Sequence, residues 1–414
     1  MELLRINTAG SVDDGKSTLI GRFLNDSNAL TVEQEALIAK KTKEKGMQNL
    51  DFSVITDGLI AEREQGITID VAHIYFSSGK RKFIVADSPG HVEYTRNMVT
   101  GASNSEVAII LIDARKGILE QTHRHYFISN MLQMKAVVFC INKMDLVDYS
   151  EDVFLKIAAD INKMTAQFET TPDVYVLPIS SLKGDNVVNQ SKEMDWYQGE
   201  TLSQILHTIK TGEISSNIFR FDVQQVLHVQ NDEFVDYRAY AGKVISGSLN
   251  VGDTVMVLPS GKQSEVKEIR KFTDTLNAVQ AGESVQVRLK DDIDISRGMM
   301  LVKQPDDNLF AKDIKAKLVW MDEKPATPGA KYIVQAGTRT TQCKLQTIEA
   351  IIPPENPSDL QDANQLLLND IALVAIKTGA PVFLDAFKEN RANGAFILID
   401  PMTNNTVAAG FLER

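Results

Sequence analysis

Residues 10–17 read GSVDDGKS, a glycine-bounded loop that strongly constrains the fold of this chain. Gly, four residues, Gly, Lys and then Ser or Thr is the pattern of a phosphate-binding loop. An apolar run at 3–8 precedes the loop and predicts a buried strand, and 18–24 continues with apolar residues at helical spacing. A strand, a tight turn and a helix gather backbone N–H groups at one point, which favours a bound anion. A glycine-rich turn that matches by chance is the alternative.

Composition limits the class of protein. The 414 residues favour about three domains, and 43% hydrophobic with 24% charged residues is ordinary for globular proteins. The net charge of −11 gives no general reason to expect nucleic-acid binding. We expect Cys140 and Cys343 to be buried small hydrophobes in a reducing compartment. The sequence has no apolar run of the roughly 18 residues that a membrane span needs, and the early loop leaves no room for a signal peptide, so we expect a cytoplasmic protein.

Residues 1–212 alternate apolar runs with helical stretches, which predicts an α/β domain with a mostly parallel sheet and helices on both faces. A long segment, 25–70, separates the first helix from the second strand. Within it, Thr31 and Gln34 predict a helix N-terminus, and Gly46 predicts its end. The predicted strands are 3–8, 71–76, 83–86, 107–112, 137–141 and 174–179. The lysines of the segment, which fit either a solvated face or a partner-docking surface, are Lys40, Lys41, Lys43 and Lys45.

The pattern changes after a last predicted helix at 201–210 and a polar linker at 211–217. From residue 219, short runs of alternating apolar and polar residues are separated by turn residues. Such a pattern predicts antiparallel β-barrels. We expect a β-barrel over residues 217–305 and a second over residues 309–414.

Two further motifs lie where a phosphate and a metal ion would be bound. The sequence DSPGH at 87–91 follows a predicted strand, and an acid such as Asp87 at that strand end suits a Mg²⁺ site together with the Ser17 hydroxyl. Gly90 has no side chain to keep its N–H from a γ-phosphate, and loss of that phosphate would release the loop. In GITID at 66–70, Thr68 could close over the γ-phosphate and Mg²⁺.

The sequence NKMD at 142–145 predicts a site for a base. Asp145 can accept two hydrogen bonds from guanine that adenine cannot donate, and sites of this kind reject the wrong partner by about 10⁴–10⁵. Lys143 would cover the base with its stem, and Asn142 would brace neighbouring loops. The residues 180–182, which follow another predicted strand, would contact the guanine oxygen through their backbone, although this signal is weak alone.

These five motifs in this order resemble the translation-factor-type GTPases, and the resemblance covers the whole chain. It implies an α/β P-loop GTPase domain followed by two antiparallel β-barrel domains. Elongation factors usually carry histidine at the position of Ser11, and bacterial ones also at Asp14. With the stretches 57–72, 89–103 and 141–151, the loop is similar to that of the GTPase large subunits of bacterial sulfate adenylyltransferase.

The resemblance implies a GTPase subunit whose GTP hydrolysis is coupled to formation of adenosine 5′-phosphosulfate and pyrophosphate from ATP and sulfate. It assigns adenylyl transfer to a small catalytic subunit, and so implies a heterodimer or higher heteromer without nucleic acid or membrane. The alternatives are an elongation-factor-like GTPase that delivers aminoacyl-tRNA and a regulatory GTP-binding subunit with negligible turnover. Ser88 and Ser181 stand where the family more often has threonine and alanine, and we expect little consequence.

The resemblance also assigns roles to single residues. His91 would orient the attacking water, with Lys16 and Thr68 as the other catalytic residues; a His91 that only caps its turn is the alternative. Asp13 matches a position that helps to hold a monovalent cation in related GTPases, or it is a solvent-facing turn acid. The Mg²⁺ ligands would be Ser17, Thr68 and Asp87. The GTP-binding residues would be Gly10, Ser11, Val12, Asp13, Asp14, Gly15, Lys16, Ser17, Thr18, Asp87, Ser88, Pro89, Gly90, His91, Asn142, Lys143, Met144, Asp145, Ser180, Ser181 and Leu182.

Overall fold

The structure is a computed structural model that divides into two compact units. The first unit holds Met1–Thr211 and Pro353–Asp359, and the second holds Gly212–Ile352 and Leu360–Arg414. Because both barrels fall in the second unit, the division into domains 1–212, 217–305 and 309–414 stays a prediction. The structure describes residues 2–44, 50, 52, 71–88, 95–169, 171–210, 216–229, 237–303 and 309–413.

The first unit is built on a six-stranded sheet. Its strands are β1 (Glu2–Ala9), β2 (Ala72–Ser78), β3 (Arg81–Asp87), β4 (Val107–Asp113), β5 (Ala136–Asn142) and β6 (Asp173–Pro178). They lie in the order β2-β3-β1-β4-β5-β6, and all neighbours are parallel except β2 and β3. The mostly parallel sheet is confirmed. The described helices are α1 (Lys16–Asp26), α2 (Val32–Glu44), α3 (Thr95–Ser103), α4 (Glu120–Met131), α5 (Glu151–Thr165) and α6 (Leu202–Thr208).

The order of the strands decides where a ligand would bind. The central strand β1 lies between β3 and β4. After β1 the chain forms β2 and β3 on one side of it and then crosses to form β4 on the other side, so the strand order reverses at β1. Ligands of open α/β sheets bind outside the carboxyl ends of the strands at such a point. Helix α1 is fixed there because the Phe23 ring packs edge-on against Phe76 and Phe83, at centroid distances of 5.4 and 6.0 Å.

Helix α2 begins as its sequence predicts. The Thr31 N–H donates to Gln34 Oε1 at 3.0 Å, and the Gln34 N–H donates to Thr31 Oγ1 at 3.3 Å. This reciprocal pair is a capping box, which satisfies two amide groups at the start of a helix. The predicted end at Gly46 and the lysine Lys45 lie outside the described residues.

The second unit contains the two predicted antiparallel barrels, which are confirmed. In the first, the pairing of β10 with β11 closes six strands into a barrel, and β12 adds to β11. In the second, six strands close in the order β16-β19-β18-β17-β20-β21. The strands are β7 (Arg220–Val229), β8 (Tyr237–Ser246), β9 (Ser248–Asn250), β10 (Thr254–Leu258), β11 (Lys262–Lys271), β12 (Asp274–Leu276), β13 (Ala278–Gln280), β14 (Ser284–Leu289), β15 (Met300–Val302), β16 (Phe310–Trp320), β17 (Lys331–Ala336), β18 (Arg339–Ile351), β19 (Ile371–Phe383), β20 (Ala395–Ile399) and β21 (Thr406–Leu412).

A buried polar contact joins the two barrels. Arg220 Nη2 donates to Asp385 Oδ1 at 2.8 Å, and both side chains are buried. Nearby, the Asp222 carboxylate accepts from the Thr338 N–H at 3.1 Å. A Cβ on Gly337 would lie 2.0 Å from Asp222 Oδ2, so only glycine fits this turn. Burial raises the pKa of Asp222 to about 6, against the opposing effects of Thr338 and Arg297.

Two sequence expectations concern the chain as a whole. Cys140 and Cys343 are both free and buried, as predicted, and burial raises the pKa of each thiol. Among the described helices, none has the length and apolar character needed to cross a membrane.

Candidate nucleotide-binding site

The phosphate loop follows β1 and is closed by two glycines in the left-handed region, Gly10 with φ 153° and Gly15 with φ 95°. A Cβ on Gly10 would lie 3.1 Å from Leu111 Cβ, and one on Gly15 would lie 2.6 Å from Asn142 Nδ2. Both glycines are therefore required by close packing as well as by backbone conformation.

Lys16 is the first residue of α1 and is only 8% exposed. Its Nζ donates to the Gly10 carbonyl at 2.8 Å and to the Ser11 carbonyl at 3.2 Å, so the ammonium group lies inside the curve of the loop. Burial lowers the pKa of Lys16, although Asp87 and neighbouring acids oppose that shift. A cation enclosed by a loop of this shape is placed to meet a phosphate.

Ser11 and Asp14, the two positions at which elongation factors differ, are tied to each other. The Ser11 N–H donates to Asp14 Oδ2 at 2.7 Å, and the Asp14 N–H donates to the Ser11 carbonyl at 3.2 Å. Burial raises the pKa of Asp14, which the Ser11 hydrogen bond and Lys16 oppose. Ser11 Oγ and Asp14 Oδ1 are buried without a hydrogen-bond partner in the described chain. The pair holds the loop closed from within.

Oxygen donors suited to Mg²⁺ lie beside this loop. Ser17 and Thr18 are half-buried at the start of α1. Asp87 is fully buried at the end of β3, where it accepts from Thr8 Oγ1 at 2.8 Å. Ser88 follows and contacts the Asn7 side chain. A hydroxyl and a carboxylate are the ligand types that Mg²⁺ takes, so these residues fit the ion. The remaining predicted residues of this part, Thr68, Pro89, Gly90 and His91, lie outside the described residues.

Asn142, at the end of β5, joins the loops of the site. Its Nδ2 donates to the Asp14 carbonyl at 2.7 Å, and its Oδ1 accepts from the Ser181 N–H at 2.9 Å. One buried amide therefore connects the phosphate loop to the loop at 180–182. This is the bracing position that the sequence predicts for Asn142.

The loop that the sequence predicts to bind the base, which we call the base-binding loop, begins at Lys143 and contains a short 3-10 helix, Met144–Val147. The Asp145 carboxylate is half-buried there and accepts from Ser180 Oγ at 2.7 Å. Met144 is buried, and its N–H donates to the Ile179 carbonyl at 3.2 Å. The predicted residues 142–145 and 180–182 thus lie together at one edge of the sheet.

Sequence reasoning missed Asp113, which holds Lys143. Asp113 is buried at the end of β4, and its Oδ2 accepts from Lys143 Nζ at 2.9 Å and from Arg115 Nη2 at 2.6 Å. Lys143 Nζ also donates to the carbonyl of Asp13. Burial would raise the pKa of Asp113, but the hydrogen bonds from Arg115 and Lys143 outweigh it and hold the pKa well below its usual range. The sequence signal that could have identified Asp113 is its position as an acid directly after a predicted buried strand.

Sequence reasoning also missed Arg22 on α1. Its Nε donates to the Ser181 carbonyl at 3.3 Å, and its Nη2 donates to the Leu182 carbonyl. The guanidinium carbon lies 4.9 Å from the centroid of the Phe52 ring, which is a cation–π contact. Arg22 therefore holds the loop at 180–182, and no sequence pattern marks it because its partners are main-chain atoms far along the chain.

The comparisons with known proteins agree with this site. The profile of the Elongation factor Tu GTP binding domain matches residues 1–233, and that of the GTP-eEF1A C-terminal domain-like family matches residues 313–413. Sulfate adenylyltransferase subunit 1 of Colwellia psychrerythraea is 46% identical over 100% of this chain and 88% of its own length. That of Alteromonas mediterranea is 46% identical over 99% and 87%, and that of Aliarcobacter butzleri is 44% identical over 100% and 88%.

A crystal structure of sup35 complexed with GDP matches with a TM-score of 0.44 and 21% identity, covering 100% of this chain and 94% of that one, a likeness too low to bear on function. The sequence relatives are different, because they are 44–46% identical over nearly the whole chain. The chain belongs to the sulfate adenylyltransferase subunit 1 family, and its GTP-binding domain is of the elongation factor Tu type.

Proposed function

We propose that this chain binds and hydrolyses GTP as the GTPase subunit of a sulfate adenylyltransferase. In this proposal, ATP and sulfate become adenosine 5′-phosphosulfate and pyrophosphate on a small catalytic partner subunit, in a cytoplasmic heterodimer or higher heteromer. The observation that supports nucleotide binding is the bridge made by Asn142, which joins the phosphate loop to the loop at 180–182, and the coupling to sulfate adenylyl transfer is supported by the relatives at 44–46% identity. Such a bridge would fix the distance between the loop that binds the phosphates and the loop that binds the base of one nucleotide.

The phosphates would enter the loop around Lys16. Its ammonium group, which now donates to Gly10 and Ser11, would donate to the β- and γ-phosphates instead. Ser17, Asp87 and Thr68 would hold Mg²⁺, which supplies neutralisation of charge on the transferred phosphoryl group. Because phosphoryl transfer depends on positioning and charge stabilisation, one residue that orients water is sufficient chemistry, and we assign that role to His91.

Guanine would be read by Asp145. Because the Ser180 hydroxyl already fixes one oxygen of this carboxylate, its orientation is set before a base arrives. Lys143, held by Asp113, would lie along the base, and the backbone at Ser181 and Leu182 would meet the guanine oxygen. We also propose that Asp13 contributes to a monovalent cation site, which hydrolysis rates compared in KCl and NaCl would test.

The experiment that tests this function is reconstitution with the catalytic subunit of the same source. With ATP and sulfate present, we expect added GTP to accelerate formation of adenosine 5′-phosphosulfate in the mixture. We expect no acceleration when GTP is left out or when this chain carries Lys16→Ala. If the two proteins do not associate, or if adenylyl transfer does not respond to GTP, the proposal is wrong. Delivery of aminoacyl-tRNA is less supported, because the relatives at 44–46% identity are named sulfate adenylyltransferase subunit 1.

A further inference from the structure

A groove of about 650 Å³ lies in the first unit, between the 114–118 loop, the end of the 3-10 helix and one side of α5. We call it the basic groove. The apolar lining residues Ile118, Val153 and Met164 are buried or half-buried and form its floor, while the exposed lining residues Lys116, Lys156 and Lys163 form its rim. The volume is in the range of natural binding clefts, which pair an apolar lining with a few polar groups.

The three rim lysines of the basic groove carry charge that no ion pair among the described residues neutralises. Lys116, Lys156 and Lys163 are exposed, and none lies within ion-pair distance of a carboxylate in the part of the chain that the structure describes. Asp160 is the one acidic residue of the lining. In a chain of net charge −11, a local excess of unpaired cations attracts an anionic partner and steers its approach.

The basic groove is also linked to the candidate nucleotide site by side-chain contacts. Arg115 lines the groove and donates to Asp113, and Asp113 in turn accepts from Lys143 of the base-binding loop. The Val147 side chain, at the end of the 3-10 helix that carries Asp145, lines it as well. An occupant of the groove would therefore contact the side chains that support the base-binding loop.

We propose that the basic groove docks an acidic segment of the partner catalytic subunit, with apolar side chains on the floor and carboxylates at the lysine rim. This inference depends on the proposed function because it requires that partner. Protein interfaces combine an apolar centre with a polar rim, as this groove does. A small inorganic anion would leave the apolar floor unused.

The test is a calorimetric titration of the GTP-loaded full chain with the catalytic subunit. The double substitution Lys156→Glu with Lys163→Glu reverses the rim charge, and we expect it to weaken association at least about tenfold. The matched control is Lys80→Glu with Lys82→Glu, which makes the same change of charge on exposed residues away from the groove. We expect the control to bind within about twofold of the unchanged chain. Both variants should retain the GTP hydrolysis of the isolated chain, which shows that they fold.

The outcomes separate the two proposals. If the unchanged chain does not bind the catalytic subunit, the proposed function fails. If it binds and the groove variant binds equally well, the docking proposal is wrong, and it is also wrong if the control loses as much affinity as the groove variant. A rise in melting temperature of the GDP-loaded chain with ATP or pyrophosphate, absent from the groove variant, would overturn it by showing a small-anion site. Weaker salt dependence of binding in the groove variant would support it.

Discussion

Among single residues, Asp145 is the one that we propose reads the base. Its position depends on one hydrogen bond from Ser180 and on the short helix that carries it. We expect Asp145→Asn to weaken GTP binding by at least about 10²-fold and to favour xanthosine nucleotides, because the amide can donate to the xanthine oxygen. Nucleotide titrations with GTP and XTP measure this. The exposed neighbour substitution Asp148→Asn should leave the preference unchanged, and an unchanged preference in Asp145→Asn would contradict the base-reading role.

The role of His91 comes from the resemblance alone, because His91 lies outside the described residues. We expect His91→Ala to leave GTP affinity nearly intact and to slow hydrolysis about 10²-fold or more, as loss of a positioning group does. Single-turnover hydrolysis and nucleotide titration measure the two effects separately. His73→Ala, at an exposed position on β2, is the control and should change neither. Loss of affinity together with rate would instead indicate a structural role for His91.

Among the helices, α1 is held by close packing at Gly21, as the phosphate loop before it is held at Gly10 and Gly15. A Cβ on Gly21 would lie 2.3 Å from Phe52 Cβ, so Phe52 is seated directly against the helix backbone. We expect Gly21→Ala to lower stability by about 1–2 kcal/mol, because overpacking outweighs the usual gain from alanine in a helix. Thermal unfolding monitored at fixed GDP concentration measures it.

The matched variants for α1 are Phe52→Ala and the double variant. We expect Gly21→Ala to cost less stability in the Phe52→Ala background than alone, because the contacts with Phe52 Cγ and Cδ1 at 2.9 and 3.1 Å are gone and the smaller residue can move away from the remaining Cβ contact. We also expect Phe52→Ala to weaken the hold of Arg22 on the loop at 180–182, since Arg22 lies against that ring. Strict additivity of the two substitutions would show that Gly21 and Phe52 do not meet.

Elements also show which parts of the site a sequence can predict. The loops after β1 and β5 carry motifs whose spacing is typical of nucleotide binding, so the sequence predicts where they lie, whereas the loop at 180–182 carries only a weak signal and residues 89–91 after β3 lie outside the described residues. Asp113 has the same place at a strand end, but a lone acid there is a weak signal without its partners Arg115 and Lys143. Arg22 was not predictable, because it binds carbonyl groups about 160 residues away, which no local pattern encodes. The basic groove was not predictable either, because its lining residues come together only in the folded chain.

For the molecule as a whole, the buried Asp222 at the junction of the two barrels makes the free energy of unfolding depend on pH. Asp222 is buried there with one hydrogen bond from Thr338, and its pKa is raised to about 6 from the usual value of 3.8. The folded chain therefore holds this proton more tightly than the unfolded chain does. The stabilising contribution is complete below pH about 4 and is lost as the pH rises through about 6, by at most about 3 kcal/mol.

Asp222→Asn tests this assignment because the amide oxygen can still accept from Thr338 while the group no longer titrates. We expect the variant to match the unchanged chain near pH 4 and to exceed its stability near pH 8, by up to about 3 kcal/mol. Urea unfolding followed between pH 4 and 8 measures the difference between the two curves, so other titrating groups cancel. The exposed substitution Asp274→Asn is the control and should leave the curve unshifted. Parallel curves for Asp222→Asn and the unchanged chain would show that the pKa of the junction carboxylate does not change on folding.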